Sequence, residues 1–210
     1  MKLSLDVGPF YCSKSILPHL EKVFGGEYEV PLYRGPYVIL DCGANAGAFA
    51  IWASHRWPGS YIRAYEPHPK TFKLLEQNVE NYPYIETIER GLGVPGMRIL
   101  YNGTNNEGEA TLFPNAVSDG TGQHVEIISP LKMPEADILK IDCEGAELEI
   151  LSPLIEDGRK FRAVMIEFHN EAIRREVDRL LSDYVLLRCT MIDPGCYDIG
   201  TAIYMHKELL

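Results

Sequence analysis

From Tyr37 onward, short apolar runs alternate with segments of helical spacing, and this rhythm constrains the fold more than any other feature. "YVILD" (37–41), "YIRAYE" (61–66) and "YIETIERGLGV" (84–94) read as strands. Between them, "GAFAIWASHRW" (47–57) is stopped by Pro58–Gly59. "PKTFKLLEQNVENY" (69–82) is amphipathic, with Phe72, Leu75 and Val79 on one face, so both segments read as helices. The pattern changes over 96–130. "MRILY", "ATLFP" and "HVEIIS", split by Asn, Gly and Asp, predict an antiparallel hairpin or ribbon instead of a crossover helix. Alternation then resumes, with strands at 136–142 and 162–168 and helices at 145–156 and 170–182. Two last strands, near 184–192 and 200–206, are joined by the turn-rich "DPGCYDIG". The expected fold class is α/β: a mostly parallel, doubly wound, Rossmann-like sheet with helices on both faces and an antiparallel edge strand. Residues 1–36 are a helical/strand segment, with a short helix at 12–24 ended by Gly25 and Gly26. Residues 37–210 form the ligand-binding unit of what is one domain overall.

With 210 residues and 46% apolar residues the chain can bury a sizeable core. Its 30 acids against 20 Lys and Arg give a formal net charge of −10, which repels phosphate backbones, so no nucleic acid is expected as partner. The five cysteines (Cys12, Cys42, Cys143, Cys189, Cys196) are odd in number and lack a C-x-x-C pair, which reads as reduced thiols in a cytoplasmic protein. Asp6, Gly8 and Pro9 interrupt the apolar run a signal peptide needs, and no stretch approaches the length of a membrane span.

Open α/β sheets bind ligands beyond the carboxyl ends of their strands. "LDCGANAGAFA" (40–50) lies there as D-x-G-x-x-x-G, with Asp41, Gly43 and Gly47 leading into a helix N-terminus. Ala44–Asn45–Ala46 separates the two glycines, so the G-x-G-x-x-G fingerprint for a pyrophosphate is absent. Glu66, 25 residues after Asp41, ends the second strand and is spaced to accept both hydroxyls of a ribose. These features serve either a nicotinamide cofactor or S-adenosylmethionine.

Three stretches together resemble the FkbM-type family of S-adenosylmethionine-dependent methyltransferases: "VILDCGANAGAFA" (38–50), "AYEPHPKTFKLLEQNV" (64–79) and "ADILKIDCEGAELEIL" (136–151), with "VMIEFH" (164–169) as a fourth. The K-I-D-x-E-G-A-E stretch behind E-P-x-P is the distinctive part. The resemblance covers residues 37 to about 170 and implies a class I methyltransferase fold. It also implies methyl transfer, typically to a hydroxyl of a sugar, glycolipid or natural product. Residues before 37 carry no match, and "RGLGVPGMRILYNGTNNEGEATLF" matches loosely. On this reading Asp41, Gly43, Asn45 and Gly47 surround the methionine end of S-adenosylmethionine and Glu66 takes the ribose. Arg90 to Leu92 pass near the adenine, and His68 either flanks the adenine or starts the following helix.

The two strands at 136–142 and 162–168 are expected as neighbours, which brings Asp142 and Glu144 towards Glu167 and His169. A carboxylate near a sulfonium favours cofactor binding, and Asp142 or His169 could serve as general base for a hydroxyl nucleophile, with Asp142 the first choice. Glu144 would orient substrate or its loop. Asp142, Glu167 and Asn170 offer oxygen ligands to a divalent cation, the weaker branch because the oxygen set is incomplete. Plainer roles compete. Glu144 could cap the next helix, Glu147 and Glu149 could face solvent or the first helical turn, Lys140 could pair with Asp142 or Asp41, and His169 could be a pocket wall. The acceptor is a small hydroxylated molecule, in a pocket that is small or completed by a second subunit in a homodimer. Three other readings stand beside this one. A nucleic-acid methyltransferase would show a basic track, but Lys and Arg are scattered, with one Arg–Arg pair at Arg174–Arg175, and N-P-P-Y is missing. A nicotinamide-dependent reductase would show a third glycine in the loop and a Tyr-x-x-x-Lys pair after the fourth strand, and this chain lacks both. A binding module without catalysis would not need the strand-end acids.

Overall fold

The computed structural model describes residues 2–5, 7–12, 16–33, 35–103, 118–191 and 199–209. A seven-stranded sheet forms the centre, built from β3 (Val38–Cys42), β4 (Tyr61–Tyr65), β5 (Ile85–Ile88), β9 (Ile138–Ile141), β10 (Ala163–Phe168), β11 (Tyr184–Met191) and β12 (Gly200–His206). Their spatial order is β11-β12-β10-β9-β3-β4-β5. The chain runs outward from β3 to β5, then returns to lay β9 on the other side of β3, so the switch point falls between β3 and β9. β3, β4, β5, β9 and β10 pair in parallel, and the expected antiparallel edge is supplied by β12, which inserts between β10 and β11. β9 and β10 are buried along their whole length, which "ILKI" and "AVMIEF" satisfy as near-continuous apolar runs.

Helices α2 (Ala48–Arg56), α3 (Pro69–Val79), α4 (Glu147–Glu156) and α5 (Glu171–Leu180) cover the sheet. One core, on the α2 and α3 face, includes Ile39, Phe49, Trp57 and Leu75; the other, under α4 and α5, includes Leu40, Ile150, Leu151 and Val177. The N-terminal residues enter the first core through Phe10, Leu20, Val23, Tyr28 and Val30. They comprise a hairpin of β1 (Lys2–Leu5) and β2 (Gly8–Tyr11), followed by α1 (Leu17–Phe24). The Asn78 amide fastens this segment. It accepts from Tyr11 N–H at 2.6 Å and donates to the Tyr11 and Ala46 carbonyls, each at 2.8 Å.

Several boundaries differ from the sequence expectation. The first helix starts at Leu17, not residue 12, with Pro18 in its first turn. The strand expected over 84–94 divides. β5 ends at Ile88, and β6 (Gly91–Leu92) joins β7 (Gly96–Gly103) and β8 (Ser118–Ile128) in a separate three-stranded sheet. A Cβ at Gly91 would lie 2.3 Å from the tip of the Ile127 side chain, so the glycine lets β6 and β8 pack closely without moving that side chain. β7 and β8 form the expected antiparallel ribbon. "ATLFP", most of "DPGCYDIG" and Cys196 lie outside the described residues. α4 begins at Glu147, because Glu144 and Gly145 both hold positive φ (49° and 104°) and cannot start a helix. Its N-cap is Ala146, without a side-chain cap, so the capping role considered for Glu144 is not what the structure shows. Among the described residues no helix is long and apolar enough to cross a membrane.

Candidate active site

β3 delivers the chain to the switch point, where Asp41 to Gly47 turn into α2. Gly43 (φ 77°) sits so close to the end of β9 that a Cβ would lie 1.8 Å from the Asp142 carbonyl oxygen. Gly47 (φ 91°) has a different constraint, since its Cβ would meet Leu75 at 2.8 Å. One glycine lets two strand ends approach, and the other lets α2 settle against α3. The Gly43 and Ala44 N–H groups both donate to the Tyr65 carbonyl, at 3.0 and 2.9 Å. Asn45, between Gly43 and Gly47, holds a left-handed φ of 50°.

Glu66 leaves β4 into the cavity beside this loop. Its Oε2 accepts from Asn45 N–H at 2.9 Å and its Oε1 from His68 N–H at 2.8 Å, so the carboxylate staples the glycine loop to the start of α3. Burial pushes its pKa up to about 7, against the opposing pull of those two N–H bonds. Each oxygen retains a lone-pair direction for a further donor. His68 is itself the N-cap of α3, accepting from Thr71 N–H at 3.3 Å through Nδ1, while also lining the cavity.

Lys140 is almost fully buried on β9, opposite Asp41 in register. Its Nζ lies 3.1 Å from Asp41 Oδ1 and 3.5 Å from Asp142 Oδ2, and donates to the Gly43 carbonyl at 2.7 Å. Burial alone would push the ammonium towards neutrality, but Asp41 and Asp142 overcome this and hold its pKa above the usual lysine range. Asp41 is completely buried. Neither of its oxygens makes a well-directed hydrogen bond to a described residue, so the Lys140 charge is its main compensation. The pairing considered for Lys140 is thus present with both acids at once.

The other end of the cavity gathers acids. Glu144 stands beyond β9 in left-handed backbone, and its Oε2 is 3.1 Å from His169 Nε2. His169 Nδ1 meets Glu147 Oε1 at 2.8 Å, and the same oxygen accepts from Gly145 N–H at 2.9 Å. Glu147 is completely buried, and its Oε2 has no hydrogen-bond partner among the described residues. Burial would lower the His169 pKa, but the two carboxylates outweigh it and raise the value to about 11. The ring is therefore an imidazolium clamp between Glu144 and Glu147. Glu167, from β10, is 3.8 Å from His169 Nε2, and burial together with Asp142 pushes its pKa up.

The cavity wall holds Gly43, Asn45, Glu66, His68, Arg90, Leu92, Asp142, Glu144 and Glu167, which brings together most of the residues named from the sequence. Asp41, Gly47, His169 and Asn170 are not on the wall; they stand behind it or beside it. Asn170 caps α5, its Oδ1 accepting from Ile173 N–H at 2.9 Å. Arg90 pairs with Glu126 at 2.8 Å, and Leu92 is buried. Sequence reasoning missed the N-terminal contribution. His19 and Val23 of α1, with Glu27 and Tyr28 after it, form part of the wall. The only signal was an acid and an aromatic after Gly25–Gly26. Glu147 and Glu149 do lie in the first turn of α4, one of the two places considered for them, but what they bind there was not foreseen. Glu147 is the buried partner of His169, and Glu149 accepts from Val94 N–H at 3.0 Å and pairs with Arg98 at 3.0 Å, fastening α4 to the small sheet.

The fold aligns with that of precorrin-6y C5,15-methyltransferase from Geobacter metallireducens (TM-score 0.55, 14% identity, 93% of this chain and 91% of that one). It also aligns with fibrillarin from Aeropyrum pernix, solved with natively bound S-adenosyl-L-methionine (TM-score 0.53, 15% identity, 90% of this chain and 74% of that one). At those identities the likeness is one of architecture, and the architecture is that of the Rossmann-like methyltransferases. The methyltransferase FkbM domain matches residues 41–187, and the chain belongs to that family. Curated relatives include the hexuronic acid methyltransferase AglP of Haloferax volcanii, 25% identical over 161 residues, covering 70% of this chain and 62% of the relative. Methyltransferase 1 of Beauveria bassiana is 25% identical over 157 residues, covering 62% of this chain and 63% of the relative. Methyltransferase sdnD of Sordaria araneosa is 26% identical over 185 residues, covering 69% of this chain and 71% of the relative. The chain thus spans just under two thirds of the length of the first two relatives.

Proposed function

We propose that the chain is an S-adenosylmethionine-dependent methyltransferase that methylates a hydroxyl oxygen of a small molecule such as a sugar, glycolipid or natural product. The observation that carries this reading is the cavity at the switch point, whose wall holds the ribose-spaced carboxylate of Glu66 together with the strand-end acids Asp142 and Glu144. The family match and the sugar-directed name of one relative support it. The donor set fits the cofactor: Glu66 keeps acceptor capacity for two ribose hydroxyls, and acids adjoin the place for a sulfonium. When bound, S-adenosylmethionine supplies an electrophilic methyl group. Glu66 would hold its ribose, and Leu92 and His68 would flank the adenine. The loop Gly43–Asn45 would meet the methionine end, with Asp41 acting through Lys140 and Gly47 through the packing of α2.

Asp142, on the wall and at the end of β9, takes the proton from the acceptor hydroxyl as general base. His169 does not serve as base in this reading, because an imidazolium has no free lone pair to accept a proton. It positions Glu144, which orients the acceptor. A divalent cation is not required by this arrangement, since the Asn170 oxygen is engaged by α5 and Lys140 already provides a cation next to Asp142. Calorimetric titration with S-adenosylhomocysteine, S-adenosylmethionine and NADH tests the reading. The first two should bind and NADH should not; binding of NADH alone would overturn it.

A further inference from the structure

The acid end of the cavity holds more negative charge than its cations offset. Lys140 stands between Asp41 and Asp142, and His169 between Glu144 and Glu147. Glu167, 7% exposed, makes no hydrogen bond to a described residue and has only the His169 ring at 3.8 Å. Glu27, opposite in sequence but on the same wall, is held by the Thr201 hydroxyl at 2.9 Å and meets no cation among the described residues. S-adenosylmethionine carries two positive groups and one carboxylate, so it adds a single net positive charge, fewer than the acids left over. Tyr28, only 2% exposed, lies on the wall with its ring edge against Phe49 at a centroid distance of 5.1 Å. No hydrogen bond joins its hydroxyl to a described residue, and this oxygen is not among the sealed unpartnered atoms, which are the two Asp41 oxygens and Glu147 Oε2; a ligand entering the cavity can therefore reach it.

We propose that the methyl acceptor carries a protonated amine close to its reacting hydroxyl, and that Glu167, Glu27 and Tyr28 form the subsite for that amine. This rests on the function proposed above and narrows its acceptor to amino sugars or amino alcohols. An ammonium offers three donors, which suits two carboxylates and a phenol oxygen, and the tyrosine ring adds cation–π attraction. A carboxylated sugar would bring like charge to the same place. The loop carrying Glu27 and Tyr28 is anchored from the far edge of the sheet, where Arg188 of β11 donates to the Gly26, Glu27 and Glu29 carbonyls. The subsite is therefore built within one chain.

The test uses the whole chain and begins with S-adenosylhomocysteine titration; no binding at that stage overturns the function itself. The loaded protein is then titrated, with chelator present, against glucosamine, glucose and glucuronate, and against 2-aminoethanol, ethylene glycol and glycolate, with thermal shift as readout. In at least one triplet the amine should saturate at roughly tenfold lower concentration than the neutral compound, and the acid should be weakest. Glu167→Gln and Tyr28→Phe should each erase the preference while S-adenosylhomocysteine still titrates. Equal responses within both triplets, including none, overturn the inference but leave the function standing. So does an amine preference that survives both substitutions, or one that appears only with added magnesium.

Discussion

Replacing Glu66 with Gln tests the cofactor end most directly, because its carboxylate has two measurable jobs. It accepts the Asn45 and His68 N–H groups at 2.9 and 2.8 Å, and in the proposed function it also accepts ribose hydroxyls. Its pKa of about 7, against an ordinary 4.5, means that the folded protein keeps this proton where the unfolded chain has lost it. Stability contributed by the neutral form is present at pH below about 4.5 and declines as pH rises towards 7. The full difference is about 3 kcal/mol. Ribose hydroxyls need the ionised acceptor, so affinity moves the other way. S-adenosylhomocysteine should bind more tightly as pH rises, by up to about tenfold per unit below 7, and level off above it. Glu66→Gln removes the charge and turns one acceptor into a donor facing an N–H. At about 1.5–3 kcal/mol for a charge-assisted bond, affinity at pH 8 should fall roughly ten- to a hundredfold and lose its pH slope. Calorimetry across pH 5.5 to 8.5, in buffers of different ionisation enthalpy, reads both affinity and proton release. A flat profile in the wild type, or the same slope in the variant, would refute the reasoning. Glu66→Ala is the less clean change, because it leaves two backbone N–H groups unpaired in a buried loop and costs stability as well.

Asp142→Asn should reduce turnover by about 10²–10⁴-fold in a single-turnover assay while cofactor titration stays measurable; full activity would remove its role as base. Gly43→Ala places a Cβ 1.8 Å from the Asp142 carbonyl at a φ of 77°, so melting should show a loss of about 2 kcal/mol or more, and an unchanged melting temperature would mean the loop is not held as described. Exhaustive chelation should leave turnover intact. A loss restored by magnesium would reassign Asp142 and Glu167 to a metal.

The sheet and the glycine loop were legible because their signals are local. Apolar runs such as "VILDC" and "AVMIEF" announce strands buried on both faces, and a strand-end acid followed by spaced glycines announces a tight turn into a helix at the carboxyl edge of the sheet. The diversion at Gly91 was not legible. "YIETIERGLGV" reads as one strand by propensity, and only the pairing of Gly91 and Leu92 with Ile127 and Ile128 of β8 shows that the chain has left the main sheet. Glu147 illustrates the same difficulty at the site. An acid in the first turn of a helix is usually solvated or offsets the dipole. This one is drawn inward by His169 and the Gly145 N–H, across a break that Glu144 and Gly145 create together.

The sequence by itself determined most of the alternation of strands and helices from Val38 onward, the place of the glycine turn, and the family, since each is encoded by neighbours within a few residues. Tertiary structure alone decided which acids face the cavity, which are clamped behind it, and that Glu27 and Tyr28 close one wall. Those choices depend on groups far apart in the chain, such as Thr201 against Glu27 and Lys140 between Asp41 and Asp142, whose meeting is set by packing and charge compensation and not by any local pattern.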